Sequence, residues 1–139
     1  MAIMPRRVKY RKTQRGKLRG IATRGSSLTF GEFGLKAIEN GMIKSNHIEA
    51  CRVVIARKSR GAGKLWIKIF PSKPVTKKPP ETRMGKGKGE LHHWACPIRR
   101  GKVLFEMSGI PEAFAKQIFR LVAFKLPVKT RFINREATF

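Results

Sequence analysis

Two stretches of this sequence carry apolar residues at the spacing of an amphipathic helix. The first stripe comprises Ile48, Cys51, Val54 and Ile55. Ser45 or Asn46 can cap this helix, and Asn46 with Glu49 three residues later has the form of a capping box. The helix is predicted to end at Gly61-Ala62-Gly63, because closely spaced glycines favour a stop.

The second helical stretch lies between two prolines. Pro111 is predicted to open the helix in its first turn, and Pro127 to end it. Its main face comprises Phe114, Ile118, Leu121, Val122 and Lys125, with Phe119 and Phe124 beside it. So broad an apolar surface predicts burial on more than one side.

Alternating or continuous apolar residues predict strands elsewhere. The candidates are residues 30–38, 65–70, 91–98, 102–107 and 128–132. Trp66, Lys68 and Phe70 form the mixed face of the second candidate, opposite an apolar face. Arg99-Arg100-Gly101 is predicted to be a tight hairpin turn, and Pro97 suggests a sheet edge or a bulge. The order of elements predicts an α+β fold, with a mixed or antiparallel sheet packed on two main helices.

Charge changes the picture of what such a fold can do. The 139 residues suffice for one domain, yet they carry 32 Lys and Arg against 8 Asp and Glu, a net charge of +24. Internal ion pairs cannot neutralise this excess, so the chain needs an anionic partner. Nucleic acid is the first candidate and an anionic membrane surface the second. No apolar run approaches the 18 or so residues that span a bilayer.

Residues 1–24 form a predicted basic arm ahead of a single domain at 25–139. The arm contains no acidic residue and no apolar period, so a partner would have to order it. Alternatives are a solvated tail without a role and an organellar transit peptide. The candidate RNA-binding residues of the arm are Arg6, Arg7, Lys9, Tyr10, Arg11, Lys12, Arg15, Lys17, Arg19 and Arg24.

Residues 71–90 form a predicted protruding loop rich in Pro, Gly and Lys. Its most unusual segment is Arg83-Met84-Gly85-Lys86-Gly87-Lys88-Gly89. Alternating glycines let the backbone approach a ligand closely, and their N–H groups can surround an anion. The spacing fits neither a Walker loop nor a dinucleotide fingerprint. A flexible linker is the alternative, although linkers favour serine rather than lysine beside glycine.

Other candidate chemistry is sparse. Arg52, Arg57 and Arg60 fall off the apolar stripe of the first helix and lack acidic partners four residues away, which favours a phosphate-facing surface over a merely solvated one. Cys51 and Cys96 are expected to be buried reduced thiols. No residue pattern indicates a metal site, a cofactor or an enzyme.

Several long stretches resemble the L-sixteen family of bacterial and organellar large-subunit ribosomal proteins, the counterparts of the archaeal and eukaryotic L-ten-e proteins. The matching stretches are PRRVKYRKTQRGKLRG at 5–20, FGEFGLKAIE at 30–39, IEACR at 48–52, GKLWIKIFPSKPVTKKPPETRMGKGKG at 63–89, GKVLFEMSGIPE at 101–112 and KLPVKTRF at 125–132. Because the arm itself matches, the transit-peptide alternative falls away.

The resemblance implies a structural constituent of the large ribosomal subunit, not an enzyme. Such a protein would bind large-subunit ribosomal RNA and neighbouring ribosomal proteins. It would contact A-site tRNA near the peptidyl-transferase centre, with P-site tRNA as a further candidate, and support late subunit assembly. In some members the arginine matching Arg83 is hydroxylated. The implied location is the cytoplasmic ribosome of a bacterium, or alternatively an organellar ribosome.

Neither a cofactor, a metal, a membrane nor a small-molecule substrate is implied. The alternative from composition alone is a non-specific basic nucleic-acid-binding protein or RNA chaperone. A membrane-active cationic protein is disfavoured, because no predicted helix combines a basic face with a Trp-containing apolar face.

Overall fold

A computed structural model describes residues 3–135, and within them the predicted α+β class is confirmed. The described chain forms two helices and seven strands. In chain order they are β1 (Phe33–Ala37), β2 (Gly41–Lys44), α1 (Ser45–Ser59), β3 (Lys64–Ile67), β4 (Lys73–Lys77), β5 (Glu90–Ile98), β6 (Val103–Ser108), α2 (Glu112–Ala123) and β7 (Thr130–Asn134).

The strands form two antiparallel sheets. The larger sheet has the order β3-β6-β1-β7, and the smaller one the order β2-β5-β4. In the larger sheet Leu35 of β1 lies between Phe105 of β6 and Phe132 of β7. One hydrophobic core unites both sheets and both helices, and its fully buried side chains include Ile43, Ile48, Ile98, Leu104, Phe105 and Phe119.

The predicted hairpin at Arg99-Arg100-Gly101 is wrong. A turn is present, closed by the Lys102 N–H donating to the Arg99 carbonyl at 3.2 Å, but β5 and β6 do not pair. The turn carries the chain from the smaller sheet to the larger one. Each strand finds partners from distant parts of the sequence, and local periodicity holds no information about such pairing.

Sequence patterns also missed β2 and β4. β4 lies inside the segment assigned to the loop, and its Pro74 suggests irregular backbone. Pro74 fits because β4 is an edge strand, where a missing N–H leaves no ladder bond unmade. Pro97 also lies at a local edge, since only β2 runs beside β5 at that residue.

The start of α1 differs from the predicted capping box. Lys44 occupies the N-cap, and its N–H donates to Nδ1 of His47 at 3.3 Å. Asn46 is the second residue of the helix and not its N-cap. The Glu49 carboxylate accepts a hydrogen bond from Arg52 rather than from the backbone at the start of the helix. Of the predicted apolar stripe, Ile48, Cys51 and Ile55 are buried, and Val54 is partly so.

α2 is buried on one face only. Pro111 is its N-cap residue, and the Pro111 carbonyl accepts the Ala115 N–H at 3.0 Å. The prediction of burial on several sides is wrong, because Leu121 is 39% and Phe124 77% exposed. The helix covers α1, β1 and β7 with its Ala115, Ile118, Phe119 and Val122 stripe, and Phe114 packs partly buried at its side.

Glu106 of β6 is fully buried, and its carboxylate accepts three consecutive backbone N–H groups. Thr29 donates to Oε1 at 3.0 Å, while Phe30 and Gly31 donate to Oε2 at 2.7 and 2.8 Å. Burial alone would raise the pKa of Glu106, but the N–H bonds and the Lys68 charge outweigh it and lower that pKa. The carboxylate therefore fixes the backbone that leads into β1.

We expect Glu106→Gln to lower the free energy of unfolding by about 1–3 kcal/mol at neutral pH. The glutamine NH2 group would replace one carboxylate oxygen, so at least one backbone N–H that now donates to Glu106 would lose its acceptor. A lowered folded-state pKa stabilises the fold above the usual glutamate pKa of 4.5, and that stability is lost as pH falls through the folded value. Urea titrations at pH 7 and pH 3 should therefore show a gap between wild type and variant that narrows in acid.

Glu112→Gln is the matched control, because its exposed carboxylate only pairs with Lys116 at 3.4 Å. Its stability should stay within about 0.5 kcal/mol of wild type. If the gap between wild type and the Glu106→Gln variant were equally large at both pH values, the result would contradict the role of the ionised carboxylate.

Candidate nucleic-acid interface

The basic arm, described from residue 3 to residue 24, runs over the surface without a helix. It is attached to the domain near its end, where Ile21 bridges Arg100 and the Ala22 N–H donates to the Arg100 carbonyl at 2.9 Å. All ten candidate residues of the arm are exposed, and Tyr10 is 68% exposed. Within residues 3–135, no carboxylate pairs with any of the arm's nine basic side chains.

The glycine-lysine loop, Arg83–Gly89, is as exposed as the arm. Gly85 and Gly87 have φ values of 102° and 89°, a conformation that glycine adopts at little cost, and Lys86 between them has a φ of 59°, which a lysine rarely adopts. A Cβ at Gly85 or Gly87 would meet no atom within 4 Å. These glycines therefore shape the backbone and leave open space around it, rather than serving packing within the protein.

Arm and loop contact each other through lysines, which sequence reasoning did not predict. The Lys12 ammonium donates to the Lys88 carbonyl at 3.2 Å, and the Lys88 ammonium donates to the Thr13 carbonyl. The Lys73 ammonium of β4 donates to the Arg15 carbonyl. Two segments about 75 residues apart in sequence thus form one continuous basic surface.

The arginines of α1 lie on a different part of the surface. Arg52, Arg57 and Arg60 are exposed, as predicted, and Arg52 lines a shallow cleft of about 220 Å³ that also includes Lys64 of β3. No acidic residue lies four positions from Arg52, as stated from the sequence, but its Nε donates to Glu49 at 3.0 Å. Glu49 lies three residues away, whereas the prediction considered only partners at a spacing of four.

One further basic groove escaped the sequence analysis. It has a volume of about 910 Å³, and its cations are Lys36, Arg100, Lys116 and Arg131. Lys36 belongs to β1, Arg100 to the turn that precedes β6, Lys116 to α2 and Arg131 to β7. Because these residues are far apart in sequence, no local run of charge predicts the groove. Ile21 of the arm also lines this groove, which makes it continuous with the arm's attachment.

The histidines and cysteines contribute no catalytic arrangement. Nδ1 of His92 lies 2.7 Å from Nδ1 of His93, and burial followed by the Lys44 charge lowers the pKa of His93. Cys51 and Cys96 are buried and free, as expected, and burial raises the pKa of Cys51 to about 12. Within residues 3–135, no three His, Cys, Asp or Glu side chains converge to hold a metal.

The functional groups of these surfaces are mainly cations, backbone N–H groups and aromatic rings, and the carboxylates of Glu49 and Glu112 beside them pair with Arg52 and Lys116. Such groups neutralise phosphates and stack on bases, but they do not constitute acid–base or nucleophilic machinery. Neither helix of the described chain is long and apolar enough to cross a bilayer.

Comparison with known proteins agrees with this chemistry. A family model described as "Ribosomal protein L16p/L10e" matches residues 5–133, which include the arm, the loop and nearly all of both sheets. One relative, "Large ribosomal subunit protein uL16" of Methylacidiphilum infernorum (isolate V4), is 56% identical over 136 residues, covering 98% of this chain and 95% of the relative. The chain therefore belongs to the ribosomal protein L16p/L10e family, and it is a structural constituent of the large ribosomal subunit rather than an enzyme.

Proposed function

We propose that this chain binds large-subunit ribosomal RNA through the basic arm and the arginines of α1, and that the glycine-lysine loop faces tRNA. Family membership already implies association with ribosomal RNA and with other ribosomal proteins. The proposal concerns which residues make the contacts and how. Its strongest support is the arm, whose exposed cations have no carboxylate partners within residues 3–135.

Binding by the arm is electrostatic. Each arginine or lysine that meets a phosphate releases counterions, so affinity depends steeply on salt. The arm has no regular structure of its own, so it can follow the space between RNA helices. Recognition depends on backbone and shape more than on base edges, since the deep groove of A-form RNA is closed to side chains.

The loop suits a partner that approaches the backbone closely. Open space around Gly85 and Gly87 leaves their N–H groups accessible, and Arg83 and Lys86 add charge on either side. Such a loop fits the acceptor end of A-site tRNA near the peptidyl-transferase centre, with P-site tRNA as the further candidate. The lysine bonds between arm and loop would link RNA binding to loop position, and so to late assembly of the subunit.

The bacterial origin of the relative supports a cytoplasmic bacterial ribosome as the location, with an organellar ribosome as the alternative. A non-specific RNA chaperone is the competing function. It would bind free nucleic acid equally well but would not restore a subunit that lacks this protein.

Deleting residues 1–20 tests the arm. If the full chain contacts about eight phosphates, its log affinity for large-subunit RNA should fall with log salt at a slope of roughly −6 to −7. If the arm makes about four of these contacts, removing eight of its nine basic residues should reduce that slope by about half. Filter binding across a salt series measures both slopes.

The melting temperature is the control: the deletion removes Ile3, which packs partly buried against the core, but leaves the Ile21 bridge and the Glu106 bonds in place. An unchanged slope in a folded, truncated chain would refute the arm's role. Equal affinity for unrelated RNA, together with failure to join deficient subunits, would favour the chaperone function.

Arg83→Ala with Lys86→Ala tests the loop. Lys88 is left intact because its ammonium bonds the arm. We expect unchanged folding and incorporation, but a loss of A-site tRNA affinity of about thirtyfold, from two missing phosphate contacts at about 1 kcal/mol each. Subunits reconstituted with the variant and titrated with aminoacyl-tRNA give this affinity.

Lys125→Ala with Lys129→Ala removes the same charge from exposed positions away from the loop and is the matched control. If both double variants lost tRNA affinity to the same extent, the loss would come from the reduced net charge and not from the loop. A lowered melting temperature of the loop variant alone would make the loop a structural element instead.

A further inference from the structure

An aromatic surface beside the arm's junction with the domain has no role in the contacts proposed above. We define it as Phe30, Trp66 and Lys68. The rings of Phe30 and Trp66 stack with centroids 6.0 Å apart and planes 19° apart, and the Lys68 ammonium lies 4.4 Å from the Phe30 centroid. Nevertheless, Phe30 remains 56% exposed.

This surface is held in position by hydrogen bonds to the backbone of residues 29–31. Glu106 accepts the N–H groups of Thr29, Phe30 and Gly31, which fixes the backbone that carries the Phe30 ring. The Arg135 guanidinium donates to the Thr29 carbonyl at 3.0 Å. Trp66 belongs to β3, the edge strand of the larger sheet. The backbone that carries the ring pair is therefore fixed before any partner arrives, so binding costs little backbone entropy there.

The chemistry of the aromatic surface matches an unpaired nucleotide. The Lys68 ammonium lies over the Phe30 ring in the unbound protein. A base can replace it on the ring, while a phosphate of the same strand draws the ammonium to itself. An apolar protein segment would cover the rings but would bury the Lys68 ammonium, which is unfavourable because the Glu106 charge acts on it only from beyond ion-pair distance. A nucleotide brings the flat apolar ring and the negative charge together.

We propose that the aromatic surface binds one unpaired base of the RNA by stacking on the Phe30–Trp66 pair, with Lys68 at the adjacent phosphate. The inference rests on the proposed RNA binding and adds to it a contact that senses bases rather than charge alone. Stacking on an aromatic side chain depends weakly on salt, so this contact should persist where phosphate contacts weaken.

The test compares two ligands of equal charge on the full chain. One is an oligouridylate of about ten nucleotides, within the usual length of single-strand sites, and the other is an abasic sugar-phosphate oligomer of the same length. Wild type should prefer the oligomer that contains bases, and Phe30→Leu should reduce that preference about fivefold or more. Phe30→Tyr, which restores an aromatic ring, should restore the preference.

Phe124→Leu is the matched control, since it removes a phenylalanine that is 77% exposed at the end of α2. Trp66 fluorescence should be quenched by the oligouridylate but not by the abasic oligomer. The Trp66→Phe variant, which retains only the buried Trp94, should lack this signal.

The outcomes separate the two proposals. If the Phe30→Leu variant keeps the full preference for the oligomer with bases, the aromatic surface does not bind a base. The same conclusion follows if a Tyr10→Leu variant loses the whole preference, because Tyr10 of the arm would then be the stacking residue. Salt-dependent binding of both oligomers would then still support the proposed function. If neither oligomer binds at any salt concentration, both proposals fail.

Discussion

The rest of the molecule depends on one buried carboxylate. Glu106 gives up its hydration inside the larger sheet, and the three N–H groups it receives offset that loss. Those N–H groups belong to the chain just before β1, where a flexible entry would let the arm and the first strand move independently. At Gly31 a Cβ would lie 2.7 Å from the Met107 carbonyl oxygen, so this one position has room only for bare backbone. A single charge thus converts a loop into a fixed attachment.

Around this attachment, apolar side chains form the core and basic side chains lie on the surface. The core is apolar apart from Glu106 and a few hydroxyl groups, while the cations lie on the arm, the loop, α1 and the groove between β1, α2 and β7. The folded domain sets the distances between these cationic surfaces. RNA phosphates would supply the neutralising charge that eight acidic residues cannot provide.

Sequence periodicity predicted the parts of the fold that depend on local information. Ile48, Cys51 and Ile55 revealed α1, and Val128 to Phe132 revealed the region of β7. Pairing was not accessible, because the turn at Arg99–Lys102 looks like a hairpin in sequence whether or not its strands share a sheet. The buried role of Glu106 was equally hidden, since a glutamate within an apolar strand reveals its partners only when Thr29 to Gly31 fold against it.

For the candidate interface, charge density located the arm and glycine spacing located the loop, but their mutual contact required the three-dimensional structure. The lysines in that contact have a further property. An ammonium group carries three N–H donors, and a single carbonyl occupies one of them. Lys12, Lys73 and Lys88 can therefore hold backbone with one donor while offering the others to phosphate oxygens. An arriving nucleic acid need not displace the internal bonds, so the shape of the unbound protein can survive unchanged into the assembled particle.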